Sequence, residues 1–282
     1  MKKLILFLVI AIAILDYGCN NADDYVLSGQ LVGSGRIIVQ EKIKGKVQEI
    51  TQSTFWAREE NGKVVRGNVN PLEDKKSEQI MSGPSRSRTQ FNSSGTIIKR
   101  EIFNAGGEIS SYIIVEAEGK IINKEMYYRG DTLWAYSKNT YTGNNLTEVK
   151  YFHSKTDTLY GSFVINYDQE GNRTKVQVFN YKNEPWLSYE FSNTYRSDGF
   201  TYHNKNYSAT GEMTYQDDYI YNKQGYRIGE HWDRKIVNGV IGEKRDLIIK
   251  YENDKKGNWV KRVFYTENQP YSIWEREIKY YD

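Results

Sequence analysis

Three histidines, a single cysteine and 36 carboxylates are the groups in this 282-residue chain that could do chemistry. His153, His203 and His231 are too far apart for a helical metal motif, and each reads as a strand or turn histidine. A glycosidase needs two carboxylates facing each other across a cleft, and no spacing here singles out a pair. Asp168, Glu170 and Asn172 alternate within one turn and could offer oxygens to calcium. They lack the fuller ligand series of a strong calcium loop, so a solvated hairpin tip fits them better. There is no Gly-x-Ser-x-Gly elbow, no phosphate-cradling glycine loop and no dinucleotide fingerprint. Gly33-Ser34-Gly35 lacks the remaining glycine and the helix of such a site. No catalytic residue, metal site or cofactor is therefore expected. What remains is aromatic excess: Trp134, Trp186, Trp232, Trp259 and Trp274 are strung along the chain. Rings on a sheet face either pack across strands or stack against sugar rings. Trp186 and Trp259 stand at or beside turns, where a ring is less enclosed than in mid-strand. They are the candidate contacts for a glycan or an extended peptide.

The elements that must position these rings recur as a repeat. Tyr167-Asp168-Gln169-Glu170-Gly171-Asn172 is followed by Tyr181 with Pro185, Tyr195 with Gly199, Tyr207 with Gly211, and Tyr221 with Gly225. The leading tyrosines lie about one strand plus one turn apart. The same beat extends backward through Tyr151 or Phe152, Tyr141, Tyr127 or Tyr128, Val115 with Gly119 and Phe103 with Gly107 to Phe91 with Gly95, and forward through Tyr251 with Gly257 and Tyr265 to Tyr280. One beat is missing between Ile228 and Leu247, where Asn238-Gly239 and Gly242 suggest a longer connection. Glycines sit where a tight hairpin needs φ > 0, and neighbouring Asp, Asn and Ser can bond back to the turn backbone.

Between turns the residues alternate. Tyr215, Tyr219 and Tyr221 share one face, opposite Thr214, Gln216 and Asp218; Trp274, Ile278 and Tyr280 oppose Glu275, Glu277 and Lys279. The fold expected is all-β: a long antiparallel β-meander of repeated hairpins forming a twisted, curved or rolled sheet. Of the 38% of residues that are hydrophobic, 14% of the chain is aromatic, which leaves only about a quarter for aliphatic packing. Tyrosine suits a partly covered sheet because it buries a ring and keeps a polar end wet. Charges on both faces, such as Lys261 and Arg262 between Trp259 and Phe264, argue against a lipid-facing transmembrane barrel.

Lys2 and Lys3 precede an apolar run from Leu4 to Leu15, the pattern of an export signal and too short for a stable span. Gly18-Cys19 then resembles a bacterial lipoprotein signal, which implies that Cys19 becomes the lipid-bearing first residue of the mature protein. Asp16 and Tyr17 depart from that pattern. Residues 1–18 are thus the expected signal, 19–24 a lipidated tether, and 25–282 a single β-repeat domain with a polar loop at about 69–90. Residues 25–68 are expected to supply the first strands of the same sheet. Asp23-Asp24 resemble the acidic tag that sends some Gram-negative lipoproteins to the outer face of the outer membrane. A lone cysteine rules out intramolecular disulfides.

Lys44-Gly45-Lys46-Val47, the recurrent Tyr-Asp or Tyr-Asn turns with Gly, and the closing Lys256-Gly257-Asn258-Trp259-Val260-Lys261-Arg262 resemble lipoproteins carrying degenerate YD (RHS)-like repeats. The likeness covers residues 44–282 and implies a β-rich scaffold on an exported protein, with no catalytic residue to carry over. Without Lys2, Lys3 and Asp16 the 39 basic and 36 acidic residues become 37 and 35. This near-neutral balance shows no basic stripe, and nucleic acid is not an expected partner. The expected partners are the membrane, through the N-terminal lipid, and a glycan or protein ligand. The leading expectation is a non-enzymatic surface lipoprotein. A periplasm-facing carrier or chaperone would instead need one continuous apolar face, and a carbohydrate-active enzyme would need converging carboxylates.

Overall fold

The computed structural model describes residues 12–14, 24–27, 29–32, 36–37, 41–67, 85–104, 106–119, 121–169, 172–223, 225–234 and 244–282. All regular structure among them is β-strand. Five short strands come first: β1 (Ile12–Ile14), β2 (Asp24–Leu27), β3 (Gly29–Val32), β4 (Arg36–Ile37) and β5 (Glu41–Lys44). Then follow β6 (Val47–Glu60), β7 (Lys63–Gly67), β8 (Ser85–Phe91), β9 (Ile97–Phe103), β10 (Ile109–Glu118), β11 (Ile121–Arg129), β12 (Thr132–Thr142) and β13 (Asn145–His153). The series continues with β14 (Leu159–Tyr167), β15 (Arg173–Asn180), β16 (Pro185–Arg196), β17 (Gly199–Ser208) and β18 (Met213–Asn222). It ends with β19 (Arg227–Arg234), β20 (Lys244–Asn253), β21 (Trp259–Thr266) and β22 (Gln269–Tyr280).

β6 and β8 to β22 form a closed antiparallel barrel of 16 strands. Each strand pairs with the next in sequence, and β22 closes on β6 through Ile278↔Ile50 and Ile273↔Phe55. Because β6 is long, its first half pairs with β8 (Ile50↔Thr89) and its second half with β7 (Trp56↔Gly67). The rolled meander expected from the repeat is therefore fully closed, which removes its open edges.

A single local device makes most of these hairpins. In the turns Asn92–Thr96, Asn104–Glu108, Asp168–Asn172, Asn180–Glu184, Ser208–Glu212, Asn222–Tyr226 and Asp254–Asn258, the first N–H donates to the fifth carbonyl at 2.8–3.0 Å. The first side-chain oxygen accepts the fifth N–H at 2.7–3.2 Å. The fourth position needs a left-handed backbone, supplied by glycine at Gly211 (φ 81) or by Asn183 (φ 60). A one-residue bulge recurs beside the hairpin turns. Ser110, Thr147, Thr174 and Thr214 occupy the extra place, and their hydroxyls donate to the carbonyls of Ile102, Thr140, Asn166 and Asn206 at 3.1–3.3 Å. Bulges increase local twist and bend the strand, so repeating them at successive hairpins curls the meander toward closure.

The repeat's leading tyrosines tie adjacent strands at the end opposite their connecting turn. Tyr141 donates to the Ile122 carbonyl at 3.1 Å, Tyr167 to Leu146 at 2.9 Å and Tyr251 to Arg227 at 2.5 Å. Their rings lie at the barrel end with Phe91, Ile97 and Leu146, all 2% exposed or less. Asn258 completes the seam by accepting from the Lys44 N–H (2.7 Å) and donating to the Lys44 carbonyl (2.8 Å) and the Tyr280 hydroxyl (2.7 Å).

Two expectations are corrected. Residues 24–44 do not join the large sheet: β2 pairs with β5, and β1, β3 and β4 pair separately, because β6 and β22 already satisfy each other. Of the loop expected at about 69–90, residues 68–84 lie outside the described residues, as do residues 235–243, where the missing beat falls, but Ser85–Gln90 is strand. Its own side chains are polar on both faces. Arg86 and Arg88 pair outward, opposite Ser53 and Thr51, while Ser87 and Thr89 pair inward, opposite Gln52 and Ile50.

Candidate functional site: the barrel interior

Register assigns every barrel residue to one wall. The outer wall carries Lys124, Lys138, Lys150, Lys175, Lys261 and Lys279 among acids, with ion pairs Lys150–Glu148 at 2.9 Å, Lys261–Glu252 at 2.9 Å and Lys279–Glu49 at 2.7 Å. Several of its rings cover one another. Tyr112 stacks on Tyr128 (centroids 4.5 Å apart) and Tyr136 on Phe152 (5.2 Å), with Lys99 and Lys138 over their faces. His203 contacts Thr194 and Asp218, each at 2.8 Å, and His231 contacts Asp246 at 2.6 Å, on this same wall. Charges at mid-strand height make this an outside built for water rather than hydrocarbon.

The inner wall carries a continuous apolar cluster running from Val47 through Ile113, Val149, Val176 and Tyr189 to Tyr221, with Ile43 of β5 packed into it. Porin-sized barrels leave an aqueous channel; here inward rings occupy the interior, and Tyr151, Tyr189 and Tyr219 are 1–2% exposed. Every cation whose described side chain is set among these residues is an arginine: Arg100, Arg173, Arg227, Arg262 and Arg276. All but Arg100 are held by rings or acids. Arg276 lies 3.5 Å from the Trp259 centroid, Arg262 lies 4.3 Å from Trp259 and 4.0 Å from Trp274, and Arg227 sits 3.6 Å from Glu230.

One inward row crosses seven strands: Ile278, Ile50, Thr89, Arg100, Ile113, Tyr127 and Ala135. Arg100 is the charge in an otherwise uncharged row. Its Nε donates to Thr89 Oγ1 at 3.3 Å, and among the described residues no carboxylate comes within ion-pair distance of it. Its side chain is half-buried, on the row that faces the barrel interior. Burial lowers its pKa, with the Arg276 charge adding to that shift and the Glu125 charge opposing it. Arg276, three strands away, donates from Nε to Gln52 Oε1 at 3.0 Å.

Glu125 stands on β11, where Oε2 accepts from the Tyr127 hydroxyl at 2.9 Å and from Ser137 Oγ at 3.5 Å. Its Oε1 is buried without a hydrogen-bond partner. Burial pushes its pKa up to about 7 against the pull of Tyr127, Arg100 and Ser137. Across the interior, Asn204 is fully buried with neither amide atom bonded, facing Phe191 and Asp217. Buried polar atoms left unbonded inside a β-barrel mark groups kept for something other than packing.

The expected site residues separate. Cys19 and Asp23 lie outside the described residues. Trp186 takes the bulge position of β16 and is 42% exposed, near Tyr181 at 60%. Trp259 is 1% exposed beneath Arg262 and Arg276, so the expectation that a ring beside a turn stays accessible fails there: its strand begins at the packed barrel end. The Asp168 turn is held by its own bonds, with Asn172 Nδ2 donating to Asp168 Oδ2 at 3.0 Å. Arg100, Glu125 and Arg276 were not singled out by sequence reasoning. Their signal is parity, since Trp274-x-Arg276-x-Ile278 and Glu125-x-Tyr127 put charges on an apolar face.

No family model and no curated protein matches the chain. Among solved structures, a porin-like protein from Bacteroides uniformis superposes with a TM-score of 0.51 at 9% identity, over 83% of this chain and 96% of that one. A porin-like protein from Bacteroides vulgatus gives 0.25 at 10% identity, over 92% and 98%. The TcdB2-TccC3-TEV structure gives 0.21 at 8% identity, over 76% of this chain and 15% of that one. The first likeness is one of fold; the other two are too weak to argue from. The chain shares its barrel architecture with the first of these proteins.

Proposed function

We propose that this chain is an exported, lipid-anchored, non-enzymatic β-barrel that acts by binding, and that its interior is the binding surface, as in a carrier. The carrying observation is the division of its walls. The outer wall is ion-paired and several of its rings cover one another, while the inner wall supplies the apolar surface a carrier needs, interrupted by charged and amide groups with unbonded atoms. Cys19 is the anchor in this reading, and Asp23-Asp24 direct the protein to the outer membrane and its outer face. The test is native mass spectrometry of the mature protein released from cells, before and after organic extraction. A small amphiphile should be released from the parent protein; a ligand-free mass before extraction would sink the carrier reading.

A second reading, a surface protein contacting glycans or proteins, is favoured by the exposed rings of Trp186 and Tyr181 around one turn. A glycan or peptide array probed with the parent and with Trp186→Ala separates it: array binding that the variant loses supports this reading, and array signal unchanged in Trp186→Ala removes it.

A further inference from the structure

We propose that Arg100 and Arg276 form an anion-binding site inside the barrel, taking the carboxylate or phosphate head of an amphiphilic ligand whose apolar part lies on the surrounding inner wall. This rests on reading the interior as the binding surface and names the chemistry of its ligand.

The argument begins with Arg100. Ile50, Ile113 and Tyr127 in its row are 4%, 8% and 4% exposed, so the chain places a guanidinium where an aliphatic side chain would fit the pattern. A charge taken out of water is tolerated when an opposite charge meets it. Among the described residues Arg100 has only the Thr89 hydroxyl, on Nε, and the acid that influences it, Glu125, is not in contact. The two terminal nitrogens of the fork are therefore left for a ligand, and that planar fork matches a carboxylate or phosphate in two parallel bonds.

Arg276 provides the second cation. Its Nε is fixed on Gln52 and its plane on the Trp259 ring, so its orientation is set before any ligand arrives. Thr89 and Gln52 stand on β8 and β6 between the two arginines, with Ser87 paired to Gln52 on the same wall. Hydroxyl and amide groups between two guanidiniums suit the remaining oxygens of an anionic head. The groups facing Arg100 are thus Glu125, Tyr127 and Arg276, and the one acid among them already bonds Tyr127 and Ser137. The acyl or other apolar part of the ligand has Ile50, Ile113, Val115 and Tyr127 beside the head site.

The mature protein is titrated with cis-parinaric acid, a fluorescent fatty acid, and with its uncharged methyl ester, using dodecyl phosphate and inorganic phosphate as competitors. Parent protein should bind the acid at least tenfold more tightly than the ester. Arg100→Met should lose tenfold or more for the acid and little for the ester, and Arg100→Lys, which keeps charge without the fork, should fall between. Circular dichroism melts confirm that each variant is folded, and Arg276→Met gives an independent arm should Arg100→Met not fold. Dodecyl phosphate should displace the acid, and inorganic phosphate should not. Equal binding of acid and ester by the parent overturns the anion site and leaves the carrier reading standing. No binding of either probe overturns the carrier reading itself. Displacement by inorganic phosphate alone would make the site one for a free anion and overturn the amphiphile.

Discussion

Glu125 should make the barrel less stable as pH rises through the slightly acidic range, the reverse of the usual behaviour of a paired carboxylate. Its folded-state pKa is about 7 against 4.5 for an exposed glutamate, with burial the main cause. A group that holds its proton more tightly when folded contributes most below the unfolded pKa and loses that contribution as pH climbs to the folded one. The window is therefore pH 4.5 to 7. At about 1.4 kcal/mol per pH unit the loss comes to roughly 3 kcal/mol. Other acids run the opposite way. Burial would raise Glu101, but hydrogen bonds from Arg88 and Lys99 outweigh it and hold it low, so Glu101 stabilises above its unfolded pKa and loses that as pH falls. Glu49 behaves likewise through Lys279 and Gln90. The parent's own curve mixes these, and the difference between parent and Glu125→Gln isolates one group.

Glutamine keeps an oxygen for the Tyr127 hydroxyl and Ser137 but puts an amide N–H₂ where Oε1 has no partner, a cost of about 1 kcal/mol. Glu125→Gln should thus be about 1 kcal/mol less stable than the parent at pH 4.5 and about 2 kcal/mol more stable at pH 8. Urea unfolding followed by tryptophan fluorescence at four pH values measures this. Parallel stability curves for the two proteins would refute the reasoning and mean that Glu125 is ionised and solvated inside the barrel.

Three further outcomes follow from the geometry. Gly199 has φ 154 and a Cβ built there would lie 1.9 Å from the Tyr221 carbonyl oxygen, whereas Gly211 and Gly225 open onto free space; Gly199→Ala should prevent folding or cost several kcal/mol, and Gly211→Ala or Gly225→Ala about 1 kcal/mol, by chemical denaturation. Trp259→Ala should cost about 3–5 kcal/mol because the ring is 1% exposed under two guanidiniums, while Trp186→Ala should cost under about 1 kcal/mol; similar losses would contradict the burial difference. Mass spectrometry of the mature N-terminus should find a lipidated Cys19, and Cys19→Ala should release the protein from the membrane fraction.

The hairpins were legible because each is specified within five residues, as in Asn222–Tyr226, and the sheet class followed from period-two alternation. Closure was not legible. It depends on β22 meeting β6 more than two hundred residues earlier, and Lys279↔Glu49 is a pairing no local pattern announces. The strand Ser85–Gln90 was hidden because neither of its own faces is apolar. The interior site was hidden differently. Tyr215, Tyr219 and Tyr221 show an apolar face, but Asp217 sits on that same face, 0% exposed, and Arg276 does so between Trp274 and Ile278. A charge on an apolar parity looks like noise when inner and outer walls are unknown. Trp259 shows the converse limit, since nearness to a turn says nothing about which barrel end is packed.

Those inward charges carry the argument one step further. An arginine enclosed among Ile50, Ile113 and Tyr127 with one hydroxyl partner is a poor choice for stability, because replacing buried charge by a well-packed apolar side chain is often neutral or favourable by 1–4 kcal/mol (about 1–2 is expected here). Arg100→Met loses the single bond to Thr89 Oγ1, about 1 kcal/mol, but removes the desolvation of a guanidinium and adds apolar contact in its row. The ligand-free barrel should therefore gain stability, read as a higher urea midpoint with unchanged slope, while its gain in midpoint on adding the fatty acid should shrink relative to the parent. Opposite signs in the two measurements are what a binding residue maintained at a cost to the fold produces. If Arg100→Met instead lowers the ligand-free midpoint by more than about 1 kcal/mol, Arg100 holds the wall together, and the anion site loses its principal support.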